Sequence, residues 1–173
     1  MKKLIYTILF ALLCSISIAS KAKTLHITLH SSDKILIQSL IMTETGGDDK
    51  AIGDDGLAYG ALQIHQGVVD DVNRIYGLEL THQNMFNRHN AIFVCFAYLR
   101  YWAVQYHKTT KKLPTYEVLA RIWNGGPEGY KNSDTAAYWE KVKKHLKQQK
   151  DMLELMNDYL KKYEHNHNYI KII

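Results

Sequence analysis

The sequence has little cysteine, little proline and few long apolar runs, and each shortage narrows the classes of protein it can encode. Its 173 residues include only two cysteines and two prolines. The one long apolar run is Leu4 to Ala19, and no later segment is apolar for long enough to span a bilayer. Cys95 is the only cysteine beyond that run. We therefore expect no internal disulfide and a fold that core packing alone holds together.

The first 22 residues have the features of an export signal. Met1-Lys2-Lys3 is a short basic start, the apolar run follows it, and Ser20-Lys21-Ala22 places small residues where a signal peptidase would cut. We predict a signal peptide at 1–22 and a periplasmic or secreted protein. The alternative is an N-terminal membrane anchor that stays attached.

The charge balance does not favour a nucleic-acid partner. The formal net charge is +5, and removal of residues 1–22 would take away three lysines and no acid, which leaves +2. The remaining lysines of the C-terminal part alternate with apolar positions, as on a solvated helix face. A content of 46% hydrophobic and 23% charged residues is typical of one globular domain. We expect a monomer that does not bind nucleic acid.

Hydrophobic periodicity predicts a mainly helical single domain with at most a small β element. The predicted helices follow the cap at Ser31-Ser32-Asp33, span Gln66 to Tyr76 and Asn87 to about Tyr106, run from Pro114 to about Trp123, and begin again at Asp134 or Thr135. The stretch from Ala58 to Ile64 predicts a β-ribbon or tight turn, and Thr24 to His30 a strand or extended lead-in. We assign the domain to 23–150 and a helical or flexible tail to 151–173.

Glu44 is the strongest candidate for a catalytic group. It shares the apolar face of the first predicted helix with Ile37, Leu40 and Ile41, at the end that meets a loop rich in glycine and aspartate. Partial burial and the negative end of the helix dipole both raise the pKa of a carboxyl group. A carboxylic acid that is still protonated near neutral pH can donate a proton to a leaving oxygen, as cleavage of a glycosidic bond requires.

Metal and thiol chemistry are not indicated. The segment Asp48 to Tyr59 fails as an EF-hand, because Lys50 and Ile52 stand where oxygen ligands belong. The nine histidines never form a His-Glu-x-x-His pattern. Cys95 lies on a buried stripe without a local base, which is typical of a core residue. We expect no metal and no cofactor.

Four sequence blocks occur in a recognisable order. They are Thr43-Glu44-Thr45-Gly46-Gly47, Gly60-Ala61-Leu62-Gln63-Ile64, Ile122-Trp123-Asn124-Gly125-Gly126 and a downstream Tyr138. This order resembles the soluble lytic transglycosylase family of the lysozyme superfamily, over about Ile35 to Leu146. The resemblance implies an α+β lysozyme-like fold and cleavage of peptidoglycan glycan strands between N-acetylmuramic acid and N-acetylglucosamine, with 1,6-anhydro ends as the product.

The resemblance also implies roles for individual residues. Glu44 matches the single catalytic acid and base, Gln63 the glutamine beside it in the cleft, Asn124 the asparagine that contacts substrate or orients the acid, and Tyr138 the tyrosine near the catalytic carboxyl. Thr45 stands where the family usually has serine and keeps the hydroxyl, while Trp123 replaces a tyrosine and is assigned only to the cleft wall. Thr45 and Tyr59 are further candidates for substrate binding; Tyr59, like Tyr130, could equally pack inside the protein.

The aspartates leave a second mechanism open. A hydrolase of the lysozyme type normally needs a second carboxylate about 5 Å or about 6.5 to 9.5 Å from the acid. Asp54 and Asp55 are the strongest candidates for that group, although aspartate in Gly-Asp-Asp-Gly is also ordinary turn chemistry. A third hypothesis is a protein that binds the cell wall without cutting its glycan strands. The biological setting stays open, and an envelope-spanning secretion or conjugation apparatus is one candidate partner.

Overall fold

A computed structural model describes residues 31–166 of the chain. The predicted signal at 1–22, the lead-in at Thr24 to His30 and positions 167–173 lie outside the described residues. Five α-helices and one small antiparallel sheet make up the described part, as the hydrophobic pattern predicted. The helices are α1 Ser31–Glu44, α2 Gln66–Tyr76, α3 Arg88–Thr110, α4 Tyr116–Gly125 and α5 Ala136–Asn166, and the strands are β1 Ile52–Gly53, β2 Ala58–Tyr59 and β3 Ile64–His65.

The long helix α3 runs through the core and is buried on nearly all sides, as its sequence predicted. Its residues Ala91 and Val94 to Leu99 are buried, among them the thiol of Cys95, which is fully buried. Asn87 caps this helix, and its Oδ1 accepts hydrogen bonds from the backbone N–H groups of His89 and Asn90. Helices α1, α2 and α4 pack on α3, and α5 packs on α1 and α4. These contacts bring the C-terminal ends of α1 and α4 together beside the first turn of α5.

The link between α4 and α5 is fixed by one arginine. The Arg121 guanidinium on α4 donates to the Thr135 hydroxyl at 2.9 Å and to the Asn132 carbonyl at 2.9 Å, immediately before α5 begins. It also pairs with Glu117 one turn earlier on its own helix. Because Thr135 is itself buried, these bonds hold the start of α5 in one place relative to α4.

The sheet is small but closely fitted to the site. Gly53 pairs with Ala58 and Ala58 with His65, so these three residues form one row across the strands. Gly60 joins β2 to β3 with a positive φ of 72°, and a Cβ atom there would lie 2.1 Å from the Met85 carbonyl oxygen. Only glycine fits this turn without strain. The β-ribbon predicted between Ala58 and Ile64 is therefore confirmed, with β1 as an additional strand.

One predicted helix end needs adjustment. Helix α3 continues four residues beyond Tyr106 to Thr110, where Lys111 with a positive φ of 61° ends it. Helix α5 runs without a break from Ala136 past position 150 to Asn166, so residues 151–166 take the helical alternative predicted for the tail. The boundary of the domain near 150 stays a prediction. Within 31–166, no helix combines the length and hydropathy needed to cross a membrane.

Candidate active site

Glu44 is the last residue of α1 and lies half-buried where three helices meet. The preceding turn of the same face is core, since Leu40 and Ile41 are fully buried. The carboxyl group therefore emerges from an apolar helix face at the edge of the core. This is the placement that the helical spacing predicted.

Two donors converge on a single oxygen of this carboxyl group. The Tyr138 hydroxyl donates to Glu44 Oε1 at 2.6 Å, and the Trp123 indole Nε1–H donates to the same Oε1 at 3.2 Å. Both donors come from elements more than 75 residues further along the chain. Because Oε1 accepts both hydrogen bonds, Oε2 is the oxygen that can carry a proton towards a ligand.

The environment keeps Glu44 closer to its protonated form than an ordinary glutamate. Burial raises the pKa of Glu44 above its usual value of 4.5, and the negative charge of Asp54 raises it further. The hydrogen bonds from Tyr138 and Trp123, and the charge of His65, oppose this change, but burial outweighs them. Burial and the negative charge of Glu44 also raise the pKa of Tyr138 well above its ordinary range. Tyr138 therefore acts as a hydrogen-bond donor and not as a titrating group.

A cavity of about 360 Å³ opens beside this carboxyl group. Its lining combines polar and apolar side chains from the end of α1, the sheet, the start of α2 and the end of α4. The lining residues are Glu44, Asp54, Gln63, Ile64, His65, Val68, Trp123 and Asn124. A cavity with converging polar groups and a carboxyl of raised pKa is the arrangement expected of an active site.

Gln63 reaches the cavity from the turn between β2 and β3. Its backbone takes a positive φ of 48°, which is unusual for a residue other than glycine, and its Nε2 donates to the Gly60 carbonyl at 3.0 Å. A Cβ atom on Gly53 would lie 1.9 Å from Gln63 Oε1, so the absence of a side chain at Gly53 makes room for the amide. The Gln63 amide is thus held in a fixed direction by the sheet.

Asn124 also lies in the cavity wall, one residue beyond Trp123 in the last turn of α4. Its side chain is exposed, whereas Trp123 is half-buried and bonded to Glu44. The structure therefore brings Glu44, Gln63, Asn124 and Tyr138 to one place, as the motif order predicted. Their roles toward a substrate stay predictions.

Thr45 is engaged within the protein. Its hydroxyl donates to the Ala61 carbonyl at 3.0 Å and accepts from the backbone N–H groups of Gly47 at 3.2 Å and Asp48 at 3.1 Å. These bonds shape the loop that leaves α1 and tie it to the turn before Gln63. The contacts seen for Thr45 are structural, and its predicted part in substrate binding has no geometric support here.

Tyr59 likewise packs inside the protein. Its ring stacks on His82, with centroids 3.8 Å apart, and on Phe86, with centroids 4.7 Å apart. Tyr59 is not among the residues that line the cavity beside Glu44. Tyr130 packs edge-to-face on Tyr106 at 5.0 Å. The packing alternative considered for both tyrosines agrees with these contacts.

Two features of the site were not expected from the sequence. Trp123 was assigned only to the cleft wall, yet its indole N–H donates a hydrogen bond to Glu44. The sequence signal for this contact was the position of Trp123 next to Asn124 in one of the four sequence blocks. His65 was not singled out, yet its Nε2 lies 2.7 Å from Asp54 Oδ2 in the cavity wall. The turn geometry expected of Asp54 and Asp55 is present, since both have positive φ values.

No metal-binding group emerges from the described part of the chain. Within 31–166, no three side chains of histidine, cysteine, aspartate or glutamate are grouped as a metal site would need. The residues around Glu44 offer hydrogen-bond donors and acceptors, so the cavity is suited to a polar ligand.

The fold and the cavity together define a mainly helical protein with a partly buried carboxyl group in a polar cleft. No protein-family model and no curated protein matches the chain. One chain of the crystal structure of Aeromonas hydrophila PliI in complex with Meretrix lusoria lysozyme is similar, with a TM-score of 0.54 and 23% identity. The match covers 64% of this chain and 88% of that chain. At this level of identity the likeness concerns the fold alone.

Proposed function

We propose that this chain is an exported enzyme that cleaves the β-1,4 bond between N-acetylmuramic acid and N-acetylglucosamine in peptidoglycan. The observation that supports it best is the Glu44 carboxyl, whose pKa burial raises and which lies at the edge of a polar cavity. The ordered sequence blocks supply the substrate class, since the cavity by itself indicates only a polar ligand. Envelope-spanning machinery as a partner and a periplasmic or secreted location belong to the same proposal.

In the leading mechanism Glu44 acts alone. Its Oε2 proton passes to the oxygen that bridges the two sugars, and the bond from that oxygen to the anomeric carbon of muramic acid breaks. The carboxylate that remains takes the proton of the muramic 6-hydroxyl, whose oxygen bonds to the anomeric carbon. The product is a 1,6-anhydro sugar, and Glu44 regains its proton. Tyr138 and Trp123 hold Oε1 throughout, so the carboxyl group turns little between the two steps.

A second mechanism is favoured by one specific observation, the presence of Asp54 in the same cavity. In hydrolysis, water attacks the anomeric carbon with help from a second carboxylate, and the product has an ordinary reducing end. Asp54 is near enough to influence the pKa of Glu44 and is accessible to solvent. The same polymer and the same acid serve both mechanisms.

Product analysis distinguishes these mechanisms. Purified peptidoglycan is digested with the protein, and the released fragments are weighed by mass spectrometry before and after borohydride reduction. Anhydro ends are lighter by one water and resist reduction, which would support transglycosylation, whereas reducible ends would support hydrolysis. Bound but uncut glycan would contradict the enzymatic proposal and favour a wall-binding protein.

A further inference from the structure

The Asp54–His65 pair is the one carboxylate–imidazole contact within 31–166 that joins two residues of the cavity wall. Asp54 follows β1 and has a positive φ of 48°, and its Oδ2 lies 2.7 Å from His65 Nε2. With Nε2 protonated, the imidazole donates to the carboxylate. Aspartate tolerates this backbone conformation, and the contact with His65 fixes the direction of its carboxylate.

The sheet explains why these two residues meet. Gly53, Ala58 and His65 form one row across the three strands, and neighbouring side chains in a row point to the same face. Gly53 contributes no side chain to that face, and the Gln63 amide occupies the space beside it. The positive φ of Asp54 then brings its carboxylate to the imidazole of His65, eleven positions away.

The charges of both residues change the pKa of Glu44. The charge of Asp54 raises the pKa of Glu44 and that of His65 lowers it, behind the larger effects of burial and of the hydrogen bonds from Tyr138 and Trp123. A fixed negative charge in the same cavity as the acid is useful in glycoside cleavage, because the sugar ring becomes positively charged in the transition state. Such stabilisation depends on where the charge is held.

We propose that His65 is a positioning residue, whose Nε2–H holds the Asp54 carboxylate at the cavity wall, facing the place where the positively charged sugar ring forms. This inference rests on the proposed glycan cleavage but holds for either product. His65 itself need not touch the substrate. Its effect on turnover passes through Asp54.

The exposure of the pair makes the inference testable without unfolding the protein. The side chains of His65 and Asp54 are 47% and 67% exposed, and ion pairs this open to solvent add little to the stability of a folded protein. The variant H65A is therefore expected to fold. A matched control is R74A, which breaks an equally short surface pair with Asp71 on α2, outside the cavity lining.

The experiment is a double-mutant cycle in glycan cleavage. D54A and H65A are each expected to lower kcat by about tenfold or more with a smaller change in KM, while R74A leaves both unchanged. In the D54A background, H65A should lower kcat by less than about twofold, because its target is gone. H65Q, which keeps an N–H donor, should recover part of the loss. An equal loss from H65A in both backgrounds, or no loss in wild type, would overturn the role of His65.

A second measurement separates this inference from the proposed function. Proton NMR near neutral pH should show the His65 Nε2–H resonance shifted downfield by its hydrogen bond to Asp54 in wild type and shifted back in D54A. If wild type shows this bond but cuts no glycan, the pairing stands and the proposed enzymatic function fails. If wild type cuts glycan but the His65 Nε2–H resonance is the same in wild type and D54A, the function stands and the positioning role is refuted.

Discussion

Replacing Glu44 by glutamine is the sharpest perturbation that the site offers. Both donors to this side chain, Tyr138 and Trp123, meet Oε1, and a glutamine amide oxygen can accept both hydrogen bonds in the same place. The amide nitrogen then stands where the acidic oxygen was, so the shape is kept and the titrating proton is lost. Loss of a general acid typically lowers a rate by about 10²- to 10⁴-fold.

E44Q should lose activity but not stability. Between the ordinary pKa of 4.5 and the higher pKa in the folded protein, the folded state binds more protons than the unfolded chain. The free energy of unfolding of wild type therefore falls as pH rises through this window, by at most about 1.4 kcal/mol for each pH unit. E44Q lacks this dependence, so it should be at least as stable as wild type near neutral pH and lose its advantage in acid.

Two assays on the same samples test this reasoning. Release of soluble fragments from purified cell walls measures activity, and thermal unfolding by circular dichroism from acid to neutral pH measures stability. E140Q is the control, because Glu140 pairs with Lys143 on the surface. This substitution should leave both the activity and the melting temperature unchanged. If E44Q releases fragments from cell walls as fast as wild type, Glu44 is not the catalytic acid. If E44Q has a lower melting temperature than wild type near neutral pH, the effect of burial on the Glu44 pKa is refuted.

Three further variants probe the surroundings of the acid. Y138F removes a hydrogen bond that lowers the pKa of Glu44, so the alkaline limb of the pH–rate profile should move to higher pH, and an unmoved limb would contradict the contact. G53A places a Cβ atom against Gln63 Oε1 and should lower turnover with little loss of melting temperature; full activity would mean that the Gln63 amide is dispensable. T45V leaves the N–H groups of Gly47 and Asp48 without their acceptor and should cost about 1–3 kcal/mol in urea unfolding, whereas T45S should not.

The elements of this fold could be predicted because their signals are local. The α2 boundaries Gln66–Tyr76 follow from the spacing of Val69 and Val72, which are fully buried, and Asn87 caps α3 as its amide chemistry suggests. The end of α3 was predicted too early because residues 107–110 are polar. The helix continues through them to Lys111, whose positive φ of 61° ends it with a backbone bond to the His107 carbonyl.

The site could be predicted only as far as its sequence blocks reach. Glu44, Gln63 and Asn124 lie in recognisable segments, and the structure collects them in one cavity. The bonds from Trp123 and Tyr138 to Glu44 depend on how α4 and α5 pack against α1, which no local pattern encodes. Similarly, the meeting of Asp54 with His65 depends on strand register and on a positive φ at a residue that is not glycine.

The distribution of donors around Glu44 favours an acid over a permanent anion. A carboxylate that must stay ionised in a protein usually receives donors on both oxygens, which lowers its pKa. Here Tyr138 and Trp123 share Oε1, so both bonds can persist when Oε2 carries a proton. The two hydrogen bonds thus orient the carboxyl group in either protonation state, while burial at the end of α1 raises the pKa. The proposed mechanism requires Glu44 to give up a proton and take one back within a single turnover, and a carboxyl group whose orientation is the same in both protonation states suits that cycle.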